Sequence, residues 1–356
     1  MVVGIDLGTT NTLACYFVNG KKKFLKFPGG AIMLPNVIYT DEDGKVTVGL
    51  TAQTRGAMEP SRMIRFDETS ERFEVATEIL KEVRRWFVKR MKLDENEEIS
   101  AVITVPVYFN DNQRDEIRMA GEAAGFKVMM ILENSVAAAI EAVHEMRFDK
   151  KVLVVDIGGG YFDLSVLEAD YANHTYTVIA IDGEKIGGDD FDRAIQKEFI
   201  RRIENDTGVK LTDAKSAGLD KDDYYCLMNR LLMEARHAKE ELSEVEEFHF
   251  YLPNLITLYG QGYDLDFVFM RQDFEKVCQP LFDRIFNRLN DFVKDKDIGH
   301  VVLAGGTCFI PYIKEHIEKD LGIKPYNDLP LSQLAVTGAA RVADNMLFEG
   351  GKNLWL

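Results

Sequence analysis

Hydrophobic positions along the 356-residue chain switch repeatedly between a period of two and a period near 3.6, and the switches divide it into elements. Over residues 2–27 the apolar residues alternate or run in short β-branched blocks, which predicts three strands closed by a turn at Pro28-Gly29-Gly30. Residues 34–39 and 45–48 read as further short strands, with Asp43-Gly44 as the turn between them. Residues 51–72 are polar and follow neither period. Over 73–91, Val75, Ile79, Val83, Trp86 and Phe87 fall on one stripe of a helix. A strand over 101–105 stops at Pro106. Asp111 is placed to cap a helix over 112–124 that Gly125 ends, and a strand over 128–132 leads to an alanine-rich helix over 135–146.

The second half repeats this plan. A buried strand over 152–155 ends in Asp156; Gly158, Gly159 and Gly160 follow, then an alternating run through Phe162, Leu164 and Val166, and a third strand over 176–182. Gly187-Gly188 opens a helix over 189–205 whose first aspartates complement its dipole. Helical stripes over 221–242 and 271–293 flank two alternating segments, 247–252 and 264–270. A strand over 301–304, a turn at Gly305-Gly306 and helices over 311–321 and 332–347 complete the plan. The tail, residues 349–356, is irregular and ends in Leu354-Trp355-Leu356.

Two stretches share one layout. VVGIDLGTTNTLACYF (2–17) and KVLVVDIGGGYFDLSVL (151–167) each run strand, aspartate, glycine turn, strand. Glycine permits positive φ and lets a ligand approach the N–H groups, and successive free N–H groups attract a phosphate. A carboxylate beside a phosphate repels it unless a cation lies between, so Asp6 and Asp156 point to a metal-bound phosphate, with magnesium the natural metal. Either turn alone could be an ordinary glycine-rich hairpin. The pair, about 150 residues apart, predicts a duplicated domain with two turns facing one cleft.

The formal net charge of −16, from 43 basic and 59 acidic residues, argues against a general nucleic-acid or anionic-membrane binder. Cys15, Cys226, Cys278 and Cys308 form no CxxC pair, so structural zinc is not expected and the usage fits a reducing cytoplasm. Met1 leads directly into a predicted strand, so no signal peptide is expected, and no apolar run approaches the ~18 residues of a membrane span.

IDLGTTN (5–11), VDIGGGYFD (155–163), IGGDDFD (186–192) and VVLAGGTCFIP (301–311), together with AVITVPVYFNDNQRDEIRMAGEAAGF (101–126), resemble the nucleotide-binding domain of the DnaK-type heat-shock chaperones, in the actin, sugar-kinase and chaperone ATPase superfamily. The resemblance runs from Val2 to about Ala343 and implies an α/β, two-lobed actin-like ATPase fold with duplicated ribonuclease-H-like domains and subdomain insertions. Lobe I is then residues 1–148, with a shortened insertion at about 35–96. Lobe II is 149–348, with an insertion at about 209–295 and a last helix, 332–347, packing back on lobe I. The family's substrate-binding domain has no counterpart in this chain. The resemblance also implies ATP or ADP with magnesium. Thr9, Thr10 and Asn11, in the turn with Gly8, would meet the β- and γ-phosphates, and Asp6 and Asp156 would hold magnesium through water. Gly158, Gly159 and Gly160 would form the second phosphate turn. Gly187 and Gly188 would approach ribose and phosphates, Lys239 and Ser243 the sugar and base, and Gly305 and Gly306 the underside of adenine.

Four departures from that family's pattern bear on activity. Asn134 stands where the family has a catalytic glutamate, with Glu133 beside it and Ser135 in place of a proline; an amide can orient a water but cannot accept its proton. The family's catalytic lysine falls in the shortened region, where Arg62 and Arg65 are the nearest cations, and arginine is a planar fork where lysine is a compact charge. Tyr161 replaces a threonine beside the γ-phosphate. Phe309 replaces an adenine-stacking arginine and Arg236 a glutamate; phenylalanine can still stack on a base. The expectation is a slowly hydrolysing chaperone-type nucleotide switch, with a co-chaperone, exchange factor or client as partner. The alternative is a nucleotide-responsive scaffold or actin-like assembly protein with little or no hydrolysis.

Overall fold

The architecture comes from a computed structural model that describes residues 1–348 apart from 67–71, 149, 171–174, 259–260 and 327–328. The tail at 349–356, including Trp355, lies outside the described residues.

Alternation at the N-terminal end produces β1 (Val2–Leu7), β2 (Asn11–Val18) and β3 (Lys21–Phe24), an antiparallel meander with β4 (Leu34–Pro35) added beside β2. A separate small sheet follows, made of β5 (Val37–Thr40), β6 (Val46–Val48) and β7 (Met63–Arg65), with α1 (Leu50–Gly56) against it. Residues 51–72, which carry no readable period, thus hold part of a helix and a strand, too short to show one. Then come α2 (Arg72–Met91), β8 (Ile99–Val105), α3 (Asp111–Ala123), β9 (Phe126–Glu133) and α4 (Asn134–Met146). β8 and β9 join the first sheet in parallel, giving the order β3-β2-β1-β8-β9. α3 is capped by Asn110 and not by Asp111. The Asn110 side chain accepts from the Gln113 N–H at 3.0 Å, and the Gln113 side chain accepts from the Asn110 N–H at 3.1 Å.

The second half builds β10 (Val152–Ile157), β11 (Phe162–Asp170) and β12 (Thr175–Glu184), then α5 (Gly188–Thr207), the one-turn α6 (Ala214–Ala217) and α7 (Lys221–Glu241). β13 (Glu247–Leu258) and β14 (Gln261–Met270) pair as a hairpin, longer than the alternation alone indicates, because a register shift between Leu252 and Ile256 breaks the period of two. α8 (Arg271–Val293), β15 (His300–Ala304), α9 (Pro311–Leu321) and α10 (Leu334–Phe348) end the described chain. The sheet order is β12-β11-β10-β15.

The internal repeat is explicit in the pairing. β1 is antiparallel to β2 and parallel to β8, and β10 is antiparallel to β11 and parallel to β15. Each half has its own apolar core, one around Ile5, Ile79, Phe87 and Ile103, the other around Phe191, Phe199, Phe269 and Phe282. A third core joins the halves through α4 and α10, where Ala137, Ala138, Ala139 and Ala339 are buried. Small residues let these elements approach closely. α10 lies against β1, β2, β8 and α4, and a Cβ on Gly338 would fall 1.8 Å from the Ala137 carbonyl oxygen.

Candidate functional site

The two aspartate–glycine turns meet. A Cβ on Gly159 would lie 1.9 Å from Thr10 Oγ1, and one on Gly160 2.6 Å from Thr9 Cγ2. None of Gly8, Gly158, Gly159 and Gly160 has a left-handed φ, so close approach, and not backbone freedom, is what requires glycine at Gly8, Gly159 and Gly160; a Cβ on Gly158 would meet nothing nearer than 3.7 Å. Asn36 braces the first turn. Its Nδ2 donates to the Gly8 carbonyl at 2.5 Å, its N–H donates to the Thr10 carbonyl at 2.8 Å, and its Oδ1 accepts from Thr12 Oγ1 at 2.7 Å. The second turn closes through Gly158 N–H to the Tyr161 carbonyl at 2.9 Å. It is tied to the turn after β15 by the Thr307 hydroxyl donating to the Gly158 carbonyl at 2.8 Å, and to the start of α5 by the Gly188 and Asp189 amides donating to the Gly158 and Gly159 carbonyls.

Between the turns opens a cavity of about 590 Å³, in the range of small-molecule sites. Of the residues proposed from sequence, Asp6, Gly8, Thr9, Thr10, Asn11, Asn134, Asp156, Gly158, Gly159, Tyr161, Gly188, Lys239, Ser243, Gly305, Gly306 and Phe309 line it. Gly160 and Gly187 stand behind that wall, packed against Thr9 and against the Gly159 backbone. Arg65 does not line the main cavity. It opens on an adjacent chamber of about 50 Å³ shared with Thr9, Thr10, Asn11, Asp189 and Arg236. Arg62 is spent on Glu42 and Glu59 at the surface, at 3.1 and 3.0 Å.

The acidic side of the cavity follows from strand register. Asp6 and Asp156 occupy equivalent places at the ends of β1 and β10. Thr104, opposite Asp6 on β8, donates its hydroxyl to Asp6 Oδ1 at 2.9 Å; its counterpart opposite Asp156 on β15 is Ala304. Burial, offset by that hydroxyl, pushes the Asp6 carboxyl up to about 6. Burial and then repulsion from Asp6 push Asp156 up to about 7. A third carboxylate, Asp163, also lines the cavity and is held well above the usual range by burial and then by Asp156. It pairs directly across the β10–β11 hairpin from Asp156, a position the spacing of the two aspartates around the glycine turn could have signalled.

Among the described residues no group of three or more His, Cys, Asp or Glu is placed to hold a metal ion. Two facing carboxylates that resist ionisation together nonetheless fit a magnesium ion that keeps most of its own waters.

The basic side comes from α7. Arg236 bonds Asp189 at 2.8 Å and the fully buried Asp192 at 3.0 Å. Lys239 bonds Asp192 at 2.7 Å and donates to the Gly188 carbonyl at 3.0 Å. Thr10 Oγ1 reaches Asp189 at 3.5 Å, linking the first turn to this cluster. Phe309 is 55% exposed and faces the cavity as an open aromatic surface.

The departures resolve individually. Asn134 lines the cavity, and its Oδ1 is buried without a hydrogen-bond partner. Glu133, beside it in the sequence, is bonded to Arg114 at 2.8 Å and does not line the cavity, so it does not stand in for the missing glutamate. Tyr161 keeps only part of itself at the cavity. Its ring is buried in the lobe I core, 5.6 Å from Phe109 and 6.0 Å from Tyr108.

Comparison with known proteins fits this geometry. Residues 64–350 match the family described as Hsp70 protein. The chain is 31% identical over 383 residues to the chaperone protein dnaK of Emiliania huxleyi, covering 95% of this chain and 59% of that protein. It is 29% identical over 380 residues to the stromal 70 kDa heat shock-related protein, chloroplastic, of Pisum sativum, and equally to heat shock 70 kDa protein 6, chloroplastic, of Arabidopsis thaliana. Those matches cover 95% of this chain and 52% and 51% of the relatives. The chain thus spans between half and three-fifths of the length of these curated relatives.

Proposed function

The chain belongs to the Hsp70 family and has its actin-like α/β ATPase fold, and from that premise we propose that it binds ATP or ADP with magnesium between its lobes and works as a slowly hydrolysing nucleotide switch. The observation that carries this reading is the meeting of two aspartate–glycine turns at one cavity, with carboxylates on one side and Lys239 and Arg236 on the other. In this reading Thr9, Thr10 and Asn11 meet the terminal phosphates, and Gly158, Gly159 and Gly160 hold the second turn close. Lys239 and Ser243 face the sugar, and the base stacks on Phe309 above Gly305 and Gly306. Magnesium would lie beside Asp6 and Asp156 and neutralise phosphate charge. The buried, unpartnered Asn134 Oδ1 supports a role in orienting the attacking water, which an amide does without taking its proton. Arg65, which shares the neighbouring chamber with Thr9, Thr10, Asn11 and Arg236, would reach toward the terminal phosphate from that side.

Phosphoryl transfer rests on positioning and charge neutralisation, so loss of a base slows it without necessarily abolishing it. The diversion of Glu133 to Arg114 favours a second reading, a nucleotide-responsive scaffold in which the bound state and not turnover controls a partner. A co-chaperone, exchange factor or client protein is the expected class of partner. The four cysteines, all free thiols, support a reducing compartment such as the cytoplasm, and no helix among the described residues is long and apolar enough to cross a membrane. Calorimetric titration with ATP and ADP, with magnesium and with chelator, followed by a phosphate-release assay, tests the proposal. Equal affinity in magnesium and chelator removes the metal assignment, and binding without phosphate release selects the scaffold.

A further inference from the structure

Two basic runs, KKKFLK at 21–26 and RRWFVKRMK at 84–92, are about 60 residues apart in a chain with a net charge of −16, and the fold brings them onto one face. Tyr16 on β2, whose register partner on β3 is Lys23, stacks edge-on against Phe87 of α2 at 5.2 Å, and the Arg90 guanidinium donates to the Lys26 carbonyl at 3.0 Å. Around the half-buried Trp86 stand Lys89, Arg85 and Arg90, at 4.7, 5.2 and 5.5 Å from the ring centroid. Lys23, Lys26, Lys89 and Arg90 are exposed and make no ion pair with a described carboxylate, and none of them lines the nucleotide cavity. Lysines on an exposed edge strand discourage edge-to-edge pairing, which accounts for those on β3. It does not account for Lys89 and Arg90, which come from a helix.

We propose that this face of lobe I is a docking surface for an acidic segment of another protein. Charge complementarity argues for an anionic partner, and two features of the patch argue for a short peptide segment over other polyanions. The Trp86 ring is already surrounded by protein cations, so it does not offer the open aromatic platform on which nucleic-acid bases stack. The segment that follows α2, held to Arg84 through the Glu95 and Glu97 carbonyls, carries the exposed Asp94, Glu95, Glu97 and Glu98, which a long nucleic acid or a membrane plane would have to meet as well. The inference is independent of nucleotide chemistry in the cleft.

The test is anisotropy of a fluorescein-labelled oligoglutamate peptide with the full chain at low and high salt. Oligothymidylate and phosphatidylserine vesicles serve as competing probes. The peptide is expected to bind at low salt and to release at high salt. The combined variant Lys23→Glu, Lys26→Glu, Lys89→Glu and Arg90→Glu should weaken it by at least about tenfold, the sum of several exposed pairs. The corresponding glutamine variant gives the same direction if the reversal variant fails to fold. With Trp355→Phe, Trp86 emission should respond to the peptide. Equal binding to wild type and variants overturns the proposal. So does tighter binding of oligothymidylate or vesicles through the same residues. Concentration-dependent sedimentation abolished by the variant, without peptide binding, overturns it in favour of a second copy of this chain.

Discussion

Replacing Asp156 by asparagine should stabilise the ligand-free chain at neutral pH and leave it little changed in acid. The Asp156 carboxyl is pushed from 3.8 up to about 7 by burial and by Asp6. Between those values the unfolded chain has given up its proton while the folded chain still holds it, so stability falls as pH rises through that window. Above it the cost is complete, at about 4 kcal/mol, because each tenfold change in proton affinity is about 1.4 kcal/mol. Below pH 4 both states are protonated and no cost exists. Asparagine carries no charge at any of these pH values. Allowing for an imperfectly bonded amide, the variant should gain about 2–4 kcal/mol at pH 8 and about 2.5 kcal/mol less than that at pH 5. For 356 residues the entropy of unfolding makes 1 kcal/mol about 1.3 °C, so the midpoint should rise by about 3–5 °C at pH 8.

Differential scanning fluorimetry in chelator across pH 5–8 measures this offset directly. Magnesium with ADP should reverse the order, because a cation between Asp6 and Asp156 removes the penalty in the wild type and finds one carboxylate fewer in the variant. An offset that does not change with pH would show that Asp156 titrates as an ordinary carboxyl, and the argument from burial would fail. An offset with the right pH dependence but no reversal would keep the electrostatics and discard the shared cation.

Other consequences are equally direct. Asn134→Glu should raise single-turnover phosphate release by about tenfold or more, since a positioned base contributes at least that much; an unchanged rate with intact binding would mean the amide position does not limit chemistry. Tyr161→Ala should cost about 3 kcal/mol in denaturant unfolding through loss of its buried contacts with Phe109 and Tyr108, and a cost below ~0.5 kcal/mol would show that the ring is not anchored in lobe I. Gly338→Ala should cost at least about 2 kcal/mol, because the new Cβ would sit 1.8 Å from the Ala137 carbonyl oxygen and α10 would have to move off α4; an unshifted thermal midpoint would contradict that packing.

Where the chain obeys a single period, sequence and structure coincide. Arg271–Val293 and Pro311–Leu321 begin and end where the stripe and the flanking signals place them. The aspartate–glycine turns were equally legible, since a β-branched strand ending in a carboxylate and glycines leaves few other structures. Residues 51–72 were not, because α1 is seven residues long and β7 three, and neither is long enough to repeat a pattern.

The site shows a different limit. Its members lie in short motifs, but their roles depend on distances across the cleft that no local pattern contains. Glu133 and Asn134 are adjacent in sequence, and only the geometry separates them: β9 aims Glu133 at Arg114, and the first turn of α4 carries Asn134 to the cavity. Asp163 shows the converse. As one residue of an alternating strand it carries no signal; only its spacing from Asp156 around the glycine turn points to it, and the β10–β11 register sets it opposite Asp156, where it adds a third carboxylate to the cavity. That carboxylate changes the electrostatic problem. Three buried acids at one wall cannot all ionise without cations, whereas Lys239 and Arg236 are already engaged with Asp192 and Asp189 on the other wall. A ligand carrying its own cation relieves that imbalance, while a bare polyphosphate would add to it. The magnesium dependence proposed above therefore follows from strand register as much as from the two motifs that first suggested it.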